Sequence, residues 1–136
     1  MKIKLSPYLA FNGNCSEAMN FYKNIFNGEL SIKTFAEMPG NIPEDQKEKV
    51  MHALLAFDNN ELMASDSMRG KEASYGTGVA LSLEYDDLSE AERVFDALSD
   101  KGTVQIPFEE AFWGAKFGFL TDKFNIQWMV HYETKK

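Results

Sequence analysis

One segment decides the fold of this chain: Ser16-Glu17-Ala18-Met19-Asn20-Phe21-Tyr22-Lys23-Asn24-Ile25-Phe26. An altered copy, Ser89-Glu90-Ala91-Glu92-Arg93-Val94-Phe95-Asp96-Ala97-Leu98, follows 73 positions later in a chain of 136 residues. Each copy begins with a serine and a glutamate, which are typical of a helix N-cap and first turn. Apolar residues then recur at helical spacing in both copies. We therefore predict two helices, capped by Ser16 and Ser89, that belong to an internal repeat.

The segments around the two helices repeat as well. Asn27-Gly28 and Lys101-Gly102 supply residues that tolerate a left-handed backbone after each helix. One β-type segment precedes each helix and three follow it, so the pattern predicts two βαβββ modules, at about 1–67 and 78–133, within a single α+β domain. The expected strands are 3–11, 30–37, 50–57, 62–67, 79–85, 103–109, 115–121 and 126–132.

The repeat also predicts which strand faces lie under the helices. In the second module the alternation is clear, with Leu81 and Leu83 on an apolar face and Ser82 and Glu84 on the other. The same 73-residue offset pairs the apolar face with Tyr8 and Ala10 of the first module. It places Pro7, Leu9 and Phe11 with the small and polar side chains that would line an opening.

Composition limits the class of protein. The net charge of −7 argues against binding to nucleic acid or to an anionic membrane surface, since both need clustered cations. The single Cys15 cannot form an internal disulfide, no zinc-like ligand spacing is present, and no apolar run approaches the length of a membrane span. We expect a soluble cytoplasmic protein that binds neither nucleic acid nor membrane.

The order and spacing of several short motifs resemble a known family. They are Pro7-Tyr8-Leu9, Phe21-Tyr22, Met51-His52-Ala53, Leu62-Met63-Ala64-Ser65-Asp66, Phe112-Trp113-Gly114, Phe117-Gly118 and Asp122-Lys123-Phe124 leading to Trp128. Over essentially the whole chain they resemble the PhnB-like branch of the vicinal oxygen chelate superfamily, which includes glyoxalase I, bleomycin-binding proteins and ring-cleaving dioxygenases. The family usually has Asp-Pro-Phe-Gly where this chain has Asp122-Lys123-Phe124-Asn125. The resemblance implies curled mixed sheets whose concave faces hold a ligand, and a homodimer.

We expect this chain to lack the metal site of the superfamily. By strand position, the ligands that the resemblance implies fall at about Pro7, Ala64, Ala80 and Met129, and none of these, nor their neighbours, offers an imidazole or carboxylate. We therefore expect no metal. No Gly-rich loop follows the first strand to hold a nucleotide-like cofactor, so methyl transfer finds no support and we expect no cofactor.

Polar candidates for a site lie near these strand positions. The two histidines, His52 and His131, are more often structural than catalytic, although His52 matches a histidine common in the PhnB-like branch. Asp66 points toward the opening or, more commonly for a strand end, binds loop amides. Glu84 and His131 would join Asp66 in a general acid/base set if the three converged. Gln127, Met129 and His131 share one strand face, and Trp128 lies on the opposite, core face.

The aromatic segment 112–118 contains Gly114 and Gly118, which allow a close approach of the backbone, and the segment has two interpretations. Trp113 and Phe117 are either one wall of a pocket for an apolar or aromatic ligand, or core and interface packing around a bent strand. Cys15, just before the predicted cap, is interpreted as an inert small residue rather than an activated thiol.

Together these features predict a protein that binds or sequesters a small apolar or aromatic molecule in a concave cleft. The predicted ligand-binding residues are His52, Asp66, Glu84, Trp113, Phe117, Gln127, Met129 and His131. The alternative is a glyoxalase- or dioxygenase-like enzyme, a lyase or thiol transferase, that uses a divergent metal site or acid/base residues. Fold alone does not decide between them, because one fold supports many chemistries.

Overall fold

The computed structural model describes residues 1–67, 72–111 and 114–133. The chain forms two compact units, Met1–Ser74 and Tyr75–Lys136. The first contains β1 (Tyr8–Phe11), α1 (Cys15–Phe26), β2 (Glu29–Thr34), β3 (Val50–Phe57) and β4 (Asn60–Asp66). The second contains β5 (Leu81–Tyr85), α2 (Leu88–Ser99), β6 (Thr103–Glu110), β7 (Ala115–Thr121) and β8 (Gln127–Glu133). Each unit therefore has the predicted βαβββ order.

Each unit has one mixed sheet of four strands. The strand orders are β1-β4-β3-β2 and β5-β8-β7-β6, so the first strand of each unit pairs with its last. That outer pair is parallel, and the remaining pairs are antiparallel. The arrangement confirms the predicted α+β class with mixed sheets. Within the described ranges, neither helix is long and apolar enough to cross a membrane.

One apolar stripe on each helix packs against its own sheet. On α1 it consists of Cys15, Ala18, Met19, Tyr22 and Ile25, and on α2 of Ala91, Val94, Phe95 and Leu98. These side chains contact one face of the sheet and form the core of each unit with buried strand residues such as Leu55 and Val130. The opposite face of each sheet, which we call the open face, points away from the helix of its unit.

Both helices begin earlier than predicted. Asn14 and Asp87 are the N-cap residues, in place of the predicted Ser16 and Ser89. The Asp87 carboxylate accepts a hydrogen bond from the backbone N–H of Glu90 at 3.2 Å, which satisfies one of the free donors of the first turn. The predicted left-handed ends are confirmed, because Asn27 has φ 54° and Lys101 has φ 61°.

The predicted faces are correct for β5 and wrong for β1. Phe11 is fully buried on the helix side, while Tyr8 is 50% exposed on the open face. Three residues (12–14) separate β1 from α1, but only two (86–87) separate β5 from α2. The helix starts are therefore offset by 73 residues and the strand ends by 74. A slip of one residue along a strand moves every side chain to the other face.

Candidate functional site

The open face of the second sheet brings together four of the eight predicted site residues, Glu84, Phe117, Met129 and His131. In the parallel pair of β5 and β8, Glu84 lies beside His131 and Ser82 beside Met129. In the antiparallel pair of β8 and β7, His131 lies beside Phe117 and Met129 beside Phe119. Two rows therefore cross three strands, and their order is Glu84–His131–Phe117 and Ser82–Met129–Phe119. Neighbouring positions of paired strands carry side chains on the same face.

Three side chains of these rows form an apolar platform, by which we mean Phe117, Phe119 and Met129. All three are half-buried, in contrast to the fully buried core residues Leu120 and Val130 on the opposite face. Polar groups lie along one edge of the platform. There the Nε2 atom of His131 is 3.6 Å from Oε1 of Glu133. The arrangement combines flat apolar surface with adjacent carboxylate and imidazole groups, which is the usual make-up of a small-molecule site.

Gly118 explains why β7 lies so close to the rest of its unit. A Cβ atom at this position would stand 2.5 Å from Cε1 of Phe95 and 2.9 Å from Cα of Phe108. Only glycine fits at such a distance, as the sequence predicted for this glycine. The close approach holds β7 against α2 and leaves Phe117 and Phe119 on the open face.

One further predicted residue, Gln127, adds nothing to this surface. Gln127 is buried, and its Nε2 donates a hydrogen bond to the carbonyl oxygen of Val79 at 2.7 Å, so its amide anchors the segment before β5. Trp113 lies outside the described residues. Trp128, predicted to be core, is 2% exposed on the helix side.

In the first unit, His52 lies on the open face of its own sheet. Its Nδ1 is 3.1 Å from the hydroxyl oxygen of Tyr8, and the two ring centroids are 5.7 Å apart. Lys33 is its neighbour on β2. A tyrosine–histidine pair of this kind can donate or accept hydrogen bonds to a bound molecule.

Asp66 accepts hydrogen bonds from backbone amides, which is the second of the two interpretations that the sequence offered for it. It is 3% exposed on the helix side. Its Oδ1 accepts hydrogen bonds from the N–H groups of Gly13 and Cys15 at 2.8 and 3.0 Å, and its Oδ2 accepts from Val50 at 2.9 Å. We therefore leave Asp66 out of the candidate site. The acid/base set predicted from the sequence is reduced to Glu84 and His131.

Cys15 is shielded at the start of α1. It is fully buried, and burial, with a smaller effect of the Asp66 charge, raises the pKa of its thiol to about 12. At neutral pH the thiol is protonated and poorly nucleophilic. The geometry supports the interpretation of Cys15 as an inert side chain.

The positions at which the superfamily resemblance places metal ligands do not fit a metal ion. Ala64 is fully buried on the helix side of the first sheet, and neither it nor Ala80 carries a donor atom. Pro7 offers no side-chain donor, and Met129 offers only a thioether, a poor ligand for the ions that carboxylate and imidazole bind. No chemistry is therefore derived from an ion at these positions.

Sequence reasoning missed three residues of these surfaces. Glu133 and Phe119 lie two positions beyond His131 and Phe117, so strand periodicity could have placed both on the open face. Tyr8 was assigned to the helix side because of the one-residue difference between the repeats. The length of the connection before the helix was the signal that could have corrected it.

Comparison with known proteins agrees with this fold. Residues 3–131 match the family described as 3-demethylubiquinone-9 3-methyltransferase. Protein YjdN of Escherichia coli strain K12 is 35% identical over 138 aligned positions, which cover 93% of each chain. The chain belongs to this family. It is the PhnB-like family, since a PhnB protein of Bacillus cereus shares 28% identity and superposes with a TM-score of 0.80 over 96% of this chain and 99% of the other.

Solved structures extend the comparison of the family fold. Protein PA1353 of Pseudomonas aeruginosa is 41% identical and superposes with a TM-score of 0.89, covering 98% of this chain and all of the other. A glyoxylase/bleomycin resistance protein/dioxygenase domain from Frankia is 11% identical, with a TM-score of 0.69 over 98% of both chains. At that identity only the fold is shared. The PhnB-like chain thus has the fold of the glyoxalase, bleomycin-resistance and dioxygenase superfamily.

Proposed function

We propose that this PhnB-like protein binds a small, planar, apolar or aromatic molecule on the open face of its second sheet. The observation that carries the proposal is the apolar platform, where Phe117, Phe119 and Met129 stand together and half-buried on the face away from α2. Ring faces and a thioether favour stacking against a flat ligand. Ser82, Glu84 and His131 along the platform are placed to orient one or two polar groups of that ligand.

The charge of the chain adds to the description of the ligand. Net charge is −7, and Glu84 and Glu133 lie beside the platform. An anionic ligand would be repelled there, so the preferred ligand is neutral or cationic. The homodimer and the cytoplasmic location stay predictions.

Binding of a neutral aromatic dye tests this function. We expect N-phenyl-1-naphthylamine to bind saturably, and Phe119→Ala or Met129→Ala to weaken it about tenfold. Tenfold is ~1.4 kcal/mol, which corresponds to roughly 55 Å² of lost apolar contact at about 25 cal/mol per Å². Fluorescence titration measures the affinity.

The matched control is Val104→Ala, which shortens an apolar side chain that is 42% exposed on β6 of the same unit. It should leave dye affinity unchanged. Circular dichroism melts of all variants establish that they are folded. If the platform variants bind the dye as tightly as the wild-type protein, the proposal is wrong.

A second candidate function is an acid/base enzyme, and one observation favours it. Glu84 and His131 are direct neighbours on paired strands beside the platform. A carboxylate next to an imidazole can orient it and stabilise its protonated form, as general acid/base catalysis requires. Mass spectrometry of a metabolite mixture incubated with the protein tests this. We expect the wild-type protein to form a product that is absent with His131→Gln. If the wild-type protein converts none of the metabolites, this candidate is wrong.

A further inference from the structure

We propose that Glu84, His131 and Glu133 form a binding site for a divalent transition-metal ion, with Zn²⁺ as the best fit. The proposal concerns a different set of side chains from the positions that the superfamily resemblance points to. All three residues come from two adjacent strands of the second unit. The metal proposal does not depend on binding of an apolar ligand to the platform, because the metal site needs only these three side chains.

Backbone geometry brings the three side chains together. His131 and Glu133 are two residues apart on β8 and therefore point to the same face. Glu84 is the register partner of His131 on β5. Since paired strands lie about 4.8 Å apart and two residues along a strand span about 6.6 Å, the cross-strand neighbour is closer than the same-face neighbour along the strand. Each member is thus held by a hydrogen-bonded sheet rather than by a loop.

The distances between ligand atoms are close to those of a metal site. One donor atom from each residue lies within 4.8 Å of the other two, and the His131–Glu133 pair is already at 3.6 Å. Tetrahedral ligands with bonds of 2.0–2.2 Å to zinc stand about 3.3–3.6 Å apart. The remaining difference is within reach of a rotation about the side-chain bonds of Glu84, because glutamate is long and this one is exposed.

Charge favours a cation at this position. Two carboxylates and one imidazole converge there, and within the described residues neither Glu84 nor Glu133 forms a salt bridge with a lysine or arginine. Asp86 and Asp87 follow shortly after Glu84, beyond Tyr85, and add to the negative potential. A divalent ion would offset the repulsion between the two glutamates.

The kinds of ligand atom select the ion. Imidazole nitrogen suits zinc, copper, iron and nickel, and carboxylate oxygen binds zinc at 2.0–2.2 Å. Three protein ligands also match the number found in zinc sites that keep one position open for water or a small ligand. That open position would lie beside Phe117, the cross-strand neighbour of His131.

Isothermal titration calorimetry tests the proposal, with ZnCl₂ added to protein that has been treated with a chelator and dialysed. We expect saturable binding of one Zn²⁺ per chain. Glu84→Gln and His131→Gln should each weaken it at least tenfold, since even the loss of a residue that only supports a ligand costs about 10–100-fold. Circular dichroism melts establish that the variants are folded.

Two matched controls use the first unit. His52→Gln removes the other histidine, and Glu61→Gln neutralises a glutamate on β4. Both should leave zinc affinity unchanged. Met129→Ala should retain zinc binding while it weakens dye binding, so failure of one proposal is distinguishable from failure of the other. The proposal is overturned if the wild-type protein binds no zinc, if Glu84→Gln and His131→Gln bind it normally, or if His52→Gln weakens it equally.

Discussion

Replacing Trp128 with alanine is expected to lower the free energy of unfolding by about 3–5 kcal/mol, the usual cost of truncating a large buried aromatic side chain. Trp128 is 2% exposed, beside Leu81 on β5 and Leu120 on β7. Its Nε1 also donates a hydrogen bond to Oδ2 of Asp122 at 2.9 Å. The substitution therefore opens a cavity and removes a donor from a buried carboxylate, and the two effects act in the same direction.

Two further variants separate the contributions. Trp128→Phe retains much of the volume but loses the indole N–H, so a smaller loss of ~1–3 kcal/mol is expected from the weakened Asp122 interaction. Phe117→Ala, at a half-buried position of the apolar platform, should cost less than Trp128→Ala because less packing is removed. Urea unfolding followed by circular dichroism measures all three. Equal losses for Trp128→Ala and Phe117→Ala would show that Phe117 belongs to the core and would contradict the open platform.

The second large effect is expected at Asp66. Its two carboxylate oxygens accept hydrogen bonds from three backbone N–H groups, those of Gly13, Cys15 and Val50. Asp66→Ala leaves these donors without their acceptor, and each buried unsatisfied group costs ~1–3 kcal/mol. The N–H groups of Cys15 and Val50 are buried and that of Gly13 is part-buried, so the first unit should lose at least ~2 kcal/mol of stability, measured by urea unfolding.

Asp66→Asn and Glu61→Ala serve as controls for this result. The asparagine retains one acceptor oxygen but presents an NH₂ group to the remaining donors, so an intermediate loss is expected. Glu61 forms a surface ion pair with Lys4, and its removal should cost ~0–1 kcal/mol. A loss at Asp66→Ala no greater than that at Glu61→Ala would mean that the buried hydrogen bonds of Asp66 do not stabilise the fold.

The sequence by itself determined the helices, the order of the strands and the family. The helical stripe of Ala18, Tyr22 and Ile25, and the similar stripe of α2, depend on local periodicity, which a sequence displays directly. The core position of Trp128 followed from the same kind of pattern. The glycine at 118 was also recognised as a close approach, because no other residue permits one.

Only the tertiary structure decided which side chains meet. Asp66 and Glu84 were both candidates for one acid/base set in the sequence, yet the first lies on the helix side of its sheet and the second on the open face. One extra residue before α1 reverses the faces of β1 relative to β5, and periodicity within each strand does not reveal such a change. The Glu84–His131 contact depends on parallel pairing between the first and last strands of a unit. Pairing of this kind joins residues far apart in the chain, so it follows from packing rather than from local pattern.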